Sequence, residues 1–247
     1  MYDGNIELID FHSHIIPGVD DGAESPEMSL EMLIMLKKQG VDKVVSTSHY
    51  YMREGSIEDF CCTRDEALAV LKNHIDSSGA DVPQIIKAAE VKLYPGLWQE
   101  ENLRMLCVEG TKVLMVEMPY ENWSGWMYNE VYALCTRGYL PVIVHIERYL
   151  SRYASKDDIL KKLLGMSVMV QCNAESFREF RKRRLIDKIL MSGKLAAIGS
   201  DCHDISGRKP DFDVAVKYIV KKYGSECLED ISIASGLLLK GDIYSLI

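Results

Sequence analysis

The sequence predicts an α/β fold whose parallel sheet is covered by helices on both faces, either as a barrel or as an open doubly wound sheet. Short apolar runs rich in β-branched residues alternate with segments of helical periodicity, and this alternation is typical of parallel βαβ units. The runs are nearly continuously apolar, as expected for strands that are buried on both faces. We predict seven strands, at residues 6–11, 41–45, 84–88, 113–116, 141–144, 167–170 and 195–198.

The first predicted helix illustrates the segments between these strands. Residues 26–39 place apolar side chains close to a 3.6-residue period, with Ser25 in position to cap the helix and Gly40 to end it. No internal repeat and no linker rich in Pro, Gly or Ser divides the chain, so we expect one domain over residues 1–247. Further helices are predicted at 57–75, 126–137, 157–164, 177–191 and 212–223.

Composition and charge restrict the class of protein. The chain is 47% hydrophobic and 27% charged, which is ordinary for a folded globular protein. Its net charge of −8 argues against nucleic acid as a partner, because phosphate backbones attract basic surfaces. The seven cysteines form no C-x-x-C pair, which favours reduced thiols in the cytoplasm. No signal-like amino terminus and no apolar run of about 18 residues occurs, so neither export nor membrane insertion is expected.

Five of the six histidines come directly after a predicted strand, and only His74 falls inside a predicted helix. In parallel α/β folds the carboxyl ends of the strands meet on one face, where active sites form. We therefore expect these five imidazoles to lie close together. They are His12, His14, His49, His145 and His203.

Carboxylates occupy the same kind of position. Glu90, Glu117 and Asp201 follow predicted strands, and the pair Asp20 and Asp21 follows the His-x-His motif in a glycine turn. Singly, such residues are often turn residues or solvated side chains. Their joint placement with the histidines favours a polynuclear metal site, since imidazole and carboxylate ligands suit manganese, iron or zinc.

Six motifs in a fixed order carry a resemblance to a known superfamily: HSH, DDG, TSHY, the strand-end Glu90, HIERY and SD-x-H. Together they resemble the PHP (polymerase and histidinol phosphatase) superfamily, and within it the bacterial manganese-dependent protein tyrosine phosphatases of capsule and exopolysaccharide operons. The segments DFHSHIIPGVDDGA, PVIVHIERY and GSDCHDISGRKP carry this likeness, which covers nearly the whole chain. The resemblance implies a distorted (β/α)7 barrel of the PHP type. It also implies two or three bound divalent ions, Mn²⁺ first and Fe, Co or Zn as alternatives.

The same resemblance assigns ligands and a substrate. It implies that phosphotyrosine on a bacterial tyrosine autokinase of polysaccharide export is hydrolysed, and that Arg148 and Arg208 bind the phosphate. A metal-activated hydroxide would attack phosphorus in line, without a covalent intermediate. One ion would take His12, His14, Glu90 and Asp201, a second Glu90, Glu117 and His145, and a third Asp21, His49 and His203.

The chain departs from the family pattern at two places. About seven extra residues precede the first strand, and the Asn-Pro pair usual before the last helix is missing near Ser235. Both departures bear on contacts within a homo-oligomer rather than on the ligands.

Several alternatives remain open at the level of sequence. A small-molecule phosphatase, such as a histidinol phosphatase, would share every ligand, and a non-catalytic kinase-binding module would use metals structurally. A nuclease is disfavoured by the acidic charge. The spacing C-x5-R of cysteine phosphatases occurs twice, at Cys172 to Arg178 and at Cys202 to Arg208.

Two further features have both a functional and a structural interpretation. The basic run 177–184 would suit an acidic tail of a kinase, although such runs are usually solvated helix faces. Trp123 and Trp126 would suit an aromatic wall for a phosphotyrosine ring, although core packing explains them equally well.

Overall fold

A computed structural model describes residues 6–152, 156–242 and 245. The described strands are β1 (Leu8–Ser13), β2 (Val41–Ser46), β3 (His49–Tyr50), β4 (Gln84–Lys87), β5 (Glu90–Lys92), β6 (Val113–Glu117), β7 (Leu140–Ile143), β8 (Met169–Asn173) and β9 (Leu195–Gly199). The described α-helices are α1 (Pro26–Lys38), α2 (Ile57–Ser78), α3 (Gly125–Thr136), α4 (Ile146–Leu150), α5 (Lys156–Leu164), α6 (Phe180–Met191), α7 (Phe212–Tyr223) and α8 (Ser225–Lys240).

The strands pair in parallel in the order β3-β5-β6-β7-β8-β9-β1-β2-β4, and the chain itself joins the two ends of this order. Strand β3 continues β2 after a two-residue interruption, and β5 continues β4 in the same way. The Ala88 amide donates to the Ser46 carbonyl at 2.9 Å across the interruption. The Glu90 amide donates to the Thr47 carbonyl at 3.2 Å. The sheet therefore closes as a distorted barrel of seven strands, two of them broken, which confirms the predicted fold class.

Two apolar layers stabilise the barrel. Alternate side chains such as Ile9 and Phe11 of β1 pack with Met115 and Val142 inside the barrel, where Phe11 is fully buried. The other faces of the strands pack against the surrounding helices. Helix α8 adds Leu238 to the inner layer, and its Ser235 hydroxyl donates to the Ala196 carbonyl at 2.8 Å. Burying a large side chain such as Phe11 contributes about 1.5–3 kcal/mol.

The predicted elements agree with this fold except at four segments. Strands β3 and β5 were not predicted because two or three residues carry no period, and helix α4 was not predicted because it spans a single turn. Helix α8, at 16 residues, is long enough to show a period and was missed. Strand β1 extends to Ser13, so His12 lies inside the strand rather than after it. As predicted, Ser25 caps α1, its hydroxyl accepting from the Met28 amide at 3.3 Å. Among the described helices, none is long and apolar enough to cross a membrane.

Candidate metal centre

The carboxyl end of the barrel brings all nine predicted metal ligands together. Eight of them lie within hydrogen-bond or ion-pair distance of another member, Glu117 lies within 4.8 Å of two members, and most are buried. Parallel strands direct their carboxyl ends to one rim, so residues distant in sequence meet there. They are His12, His14, Asp21, His49, Glu90, Glu117, His145, Asp201 and His203.

The first predicted ligand set forms a compact group around the His-x-His pair. The Nε2 atoms of His12 and His14 lie 3.2 Å apart. Glu90 Oε2 lies 3.1 Å from the first and 3.4 Å from the second of these nitrogens. Asp201 Oδ1 lies 3.6 and 3.5 Å from them. All four side chains thus point at one small volume.

The second set surrounds the other oxygen of Glu90. His145 Nε2 lies 2.8 Å from Glu90 Oε1. Glu117 offers a carboxylate oxygen within 4.8 Å of ligand atoms from Glu90 and His49. The structure therefore brings His49 to this set as well as to the third, which the sequence did not indicate.

The third set closes the outer side of the cluster. Asp21 Oδ1 lies 3.5 Å from His49 Nε2 and 3.4 Å from His203 Nε2. His14 joins these three, because one ligand atom from each of the four residues lies within 4.8 Å of the others. The cluster is continuous, since His14 and Glu90 each belong to more than one group.

Three polar side chains outside the ligand set hold its members in place. Asp20 Oδ2 lies 2.6 Å from His14 Nδ1 and accepts from the His49 amide at 2.9 Å. Gln171 Oε1 accepts from the His145 amide at 2.7 Å and lies 3.3 Å from His12 Nδ1. The third is Asn173, whose amide nitrogen donates to Asp201 Oδ2 at 2.7 Å. Such partners fix the orientation of ligands in metal sites.

The electrostatics of the cluster favour bound cations. Burial disfavours a charged imidazole at His14, yet the carboxylates of Asp20, Asp201 and Glu90 together hold its pKa well above the ordinary value. Burial lowers the pKa of His203 to about 4, which leaves a neutral ring with a free lone pair near pH 7. Against the opposing effect of burial, nearby His12 holds the pKa of Glu90 well below its usual range. The carboxylates that raise the pKa of His14 would equally attract a metal cation, and His203 presents a neutral imidazole to it.

The donor atoms fit divalent metal ions. Among the described residues, Glu117 Oε2 and His203 Nε2 are buried without a hydrogen-bond partner. Buried polar atoms are rarely left unpaired, because an unmade hydrogen bond costs about 1–3 kcal/mol. Metal coordination would satisfy both atoms.

Two arginines border the cluster through a shared carboxylate. Arg148 Nη2 lies 2.7 Å from Asp201 Oδ2 and 3.3 Å from Glu175 Oε1. Arg208 Nη2 lies 3.0 Å from Asp201 Oδ1. Glu147, the neighbour of Arg148 in sequence, is fully buried and accepts instead from the Ser176 hydroxyl at 2.9 Å. Both predicted phosphate-binding arginines thus project toward the cluster.

The two C-x5-R segments lack the features of a cysteine phosphatase. Burial, together with the charge of Glu147, raises the pKa of the Cys172 thiol well above its usual value. Burial likewise raises the pKa of Cys202. A nucleophilic thiolate requires the opposite shift. In the first segment Arg178 Nη1 lies 2.8 Å from Asp211 Oδ2, so this guanidinium group is already paired with a carboxylate.

An open cavity of about 460 Å³ adjoins the cluster at Glu117, and the sequence did not identify it. Tyrosine rings on its wall stack on candidate ligands, Tyr51 on His49 at 5.2 Å and Tyr120 on His145 at 6.4 Å between centroids. Lys92 Nζ lies 3.0 Å from Glu117 Oε1 and 4.9 Å from the Tyr120 centroid. The cavity is lined by Tyr51, Met52, Arg53, Lys92, Tyr94, Glu117 and Tyr120.

The predicted tryptophan wall lies behind this cavity rather than on it. Trp123 packs against Tyr149 with 5.5 Å between ring centroids, and Trp126 packs against the helical layer of the core. Tyr120, three residues before Trp123, takes the place at the cavity. The cavity wall is therefore formed by a tyrosine that the sequence did not indicate, and not by the two tryptophans.

Two glycines allow the close packing of the His-x-His pair. A Cβ atom on Gly199 would lie 2.7 Å from Gln171 Nε2 and even closer to the His12 side chain. A Cβ atom on Gly22 would lie 2.5 Å from His14 Cβ. Neither glycine has a positive φ, so the absence of a side chain, not backbone freedom, is what these positions require.

The sequence of this chain matches a known protein family over the whole region that forms the cluster. The sequence model described as "Capsular polysaccharide synthesis, CpsB/CapC" matches residues 8–238, which include every candidate ligand and both arginines. The chain belongs to the CpsB/CapC family. The resemblance carried by the sequence motifs is thereby confirmed.

Relatives from two bacteria match this chain over nearly their whole length. The chain is 25% identical to the tyrosine-protein phosphatase YwqE of Bacillus subtilis, covering 94% of this chain and 92% of YwqE. It is 27% identical to the tyrosine-protein phosphatase CpsB of Streptococcus pneumoniae, covering 92% and 95%.

Solved structures support the same fold. One of the crystal structures of YwqE from Bacillus subtilis and CpsB from Streptococcus pneumoniae, "unique metal-dependent tyrosine phosphatases", superimposes with a TM-score of 0.84 at 22% identity and 95% coverage of both chains. The phosphotriesterase homology protein of Escherichia coli superimposes with a TM-score of 0.56 at 12% identity, covering 91% of this chain and 95% of that protein.

Proposed function

We propose that this CpsB/CapC family member is a metal-dependent protein tyrosine phosphatase, a phosphoric monoester hydrolase. The observation that carries the proposal is the convergence of nine metal-ligand side chains and two arginines beside a cavity walled by tyrosines. Relatives named tyrosine-protein phosphatases match the chain over more than nine-tenths of its length. The family description also connects the chain with capsular polysaccharide synthesis.

The ligand roles in this proposal follow the three groups of the cluster. His12, His14, Glu90 and Asp201 would hold one ion, and Glu90, Glu117 and His145 a second. Asp21, His49 and His203 would hold a third, with Mn²⁺ as the proposed metal. Bound divalent ions supply Lewis acidity, which activates water near neutral pH and stabilises charge on phosphoryl oxygens.

The side chains of the protein bind and orient the substrate. Arg148 and Arg208 already point at Asp201 from two sides, so a phosphoryl group at the centre would accept hydrogen bonds from both guanidinium groups. Such donors stabilise the charge that develops on phosphoryl oxygens in the transition state. Tyr51 and Tyr120 would enclose the phenyl ring, and the cavity of about 460 Å³ is large enough for it. A phosphoserine side chain leaves this cavity empty.

The physiological setting is also part of the proposal. The substrate we infer is phosphotyrosine in a bacterial tyrosine autokinase of polysaccharide export, acted on in the cytoplasm. A homo-oligomer remains a prediction from the family resemblance, as does the single domain over residues 1–247.

The deciding experiment measures phosphate release from a phosphotyrosine peptide, a matched phosphoserine peptide and histidinol phosphate. Each is measured with Mn²⁺, after chelation and after restoration of Mn²⁺. We expect hydrolysis of phosphotyrosine that disappears on chelation and returns with the metal. Faster hydrolysis of histidinol phosphate would instead identify a small-molecule phosphatase, and inactivity on all three would favour a non-catalytic module.

A variant of the cavity tests the ring pocket within the same assay. Tyr120→Ala removes a ring that is 42% exposed, and we expect the phosphotyrosine KM to rise about tenfold while the kcat changes less. Tyr132→Ala is the matched control, because Tyr132 is 65% exposed on α3 and does not line the cavity. Equal effects of the two variants would contradict the pocket assignment.

A further inference from the structure

A groove rich in basic residues lies between the end of α4 and the first turns of α6, and we refer to it as the basic groove. Its cavity measures about 540 Å³. Leu150 and Leu185 are buried and form an apolar floor. The charged residues along it are Glu179, Arg181, Lys182, Arg184 and Lys188.

The basic groove carries a surplus of positive charge. Its carboxylate, Glu179, is already paired, since Lys182 Nζ lies 2.6 Å from Glu179 Oε1. No described carboxylate lies within ion-pair distance of Arg181 or Arg184. Arg184 lies instead over the exposed ring of Phe180, 4.5 Å from its centroid. This surplus stands out in a chain whose net charge is −8.

Helix α4 connects the basic groove with the candidate metal centre. Ser151 lines the groove directly after α4 and lies three residues after Arg148, a separation of about 5 Å at the rise of a helix. Helices α4 and α6 both follow strands at the carboxyl end of the barrel. An extended peptide advances about 3.3 Å per residue, so positions a few residues from a centrally bound phosphotyrosine reach the groove.

We propose that the basic groove binds an acidic segment of the protein substrate that flanks the phosphotyrosine. This proposal rests on the proposed function. Guanidinium groups bind carboxylates in bidentate geometry, and a concentrated positive charge attracts an acidic segment over a distance. The concave shape and apolar floor suit a peptide chain, with Leu150 and Leu185 contacting its aliphatic atoms. The groove would thus select among phosphotyrosine sequences that the metal centre alone does not distinguish.

The test compares two phosphotyrosine peptides that differ only in glutamate or glutamine at the flanking positions. The groove variant is Arg181→Glu/Arg184→Glu. The control variant is Lys38→Glu/Lys72→Glu, which changes the net charge equally at exposed positions on α1 and α2. Each Mn²⁺-loaded protein is assayed with both peptides at low and high salt, and with p-nitrophenyl phosphate.

We expect the native protein to prefer the glutamate peptide about three- to tenfold in kcat/KM, through KM, with the preference reduced by salt. The groove variant should lose this preference and the control should keep it, while p-nitrophenyl phosphate is hydrolysed equally by all three. Equal use of both peptides by the native protein, or equal losses in the two variants, would overturn the proposal.

A binding measurement separates failure of the groove from failure of the proposed function. The same peptides with a non-hydrolysable phosphonate in place of the phosphate are titrated by fluorescence anisotropy. Tighter binding of the glutamate peptide to the native protein and the control, but not to the groove variant, supports the groove even if no protein hydrolyses p-nitrophenyl phosphate. That inactivity would contradict the phosphatase alone, and absence of any flank preference in binding would contradict the groove alone.

Discussion

The interior of the barrel and its carboxyl end are built by the same strands from opposite chemistry. In β1, Ile9 and Phe11 pack in the apolar interior, while His12 joins the charged cluster at the rim. The interior gains stability from burial, whereas the rim gathers like charges and polar atoms without partners. The difference indicates that the interior stabilises the fold, whereas the charged cluster at the rim depends on bound cations. Substitutions in the two regions test that division of roles.

The largest expected effect is at Glu90, whose carboxylate belongs to more than one ligand group. We expect Glu90→Gln to lower bound metal and to reduce phosphatase activity at least about 10³-fold, because a shared ligand and its charge are lost together. Metal content by elemental analysis and phosphate release measure the two effects. Glu101→Gln, at an exposed position, should leave both unchanged. Full activity of Glu90→Gln would contradict the metal centre.

The next effect belongs to the interior. Phe11→Ala should lower the free energy of unfolding by about 3–5 kcal/mol, because a fully buried ring leaves a cavity. Urea denaturation measures this change. The protein that remains folded should keep its metal content. Phe180→Ala, at a ring that is 63% exposed, should change stability by less than about 0.5 kcal/mol. A loss of metal without a loss of stability would contradict the division.

An intermediate effect is expected at Gln171, which orients His12 and His145 without belonging to the predicted ligand set. Gln171→Ala should weaken metal binding about 10–100-fold, as is typical when partners that orient ligands are removed. Competition with a fluorescent chelator measures the affinity. Gln99→Ala, at an exposed position, serves as the control. Unchanged affinity in Gln171→Ala would show that the histidines are held by other contacts.

The smallest effect is expected at the buried thiols. Burial raises the pKa of Cys172 and Cys202, so neither should react with iodoacetamide at pH 8 in the folded protein, whereas exposed Cys62 should react first. Mass spectrometry of the alkylated protein identifies the modified sites. Cys172→Ala and Cys202→Ala should each retain Mn²⁺-dependent activity. Loss of activity in proportion to alkylation of either thiol would restore the cysteine mechanism.

The sequence predicted which charged and imidazole side chains meet at the carboxyl end of the barrel better than it predicted the residues that surround them. His12, Glu90 and Asp201 follow or end strongly apolar strands, so the convergence of strand ends was enough to place them together. Gln171 lies within an apolar strand, and nothing local distinguishes it from an ordinary polar residue. Tyr120 lies in a loop whose course depends on packing around Trp123. Such positions are set by contacts between distant segments, which local patterns do not encode.

The fold shows the same contrast between strong local patterns, which were predicted, and short segments, which were not. Most helices and strands of five or more residues were predicted with small errors at their ends, although α4 and α8 were not, whereas β3 and β5 are too short to show a period. Barrel closure depends on those two segments, so it came from the family resemblance and not from periodicity. The metal identity, the ligand roles and the single domain stay predictions.

The glycines packed against the His-x-His pair have a consequence for which mutations the protein tolerates. Gly22 and Gly199 carry no reactive group, yet even a methyl group at either position would collide with the neighbouring histidine or its contacts. In a saturation mutagenesis experiment selected for activity, both positions should therefore be as intolerant as the metal ligands. Alanine, ordinarily the mildest replacement, should already inactivate the protein there.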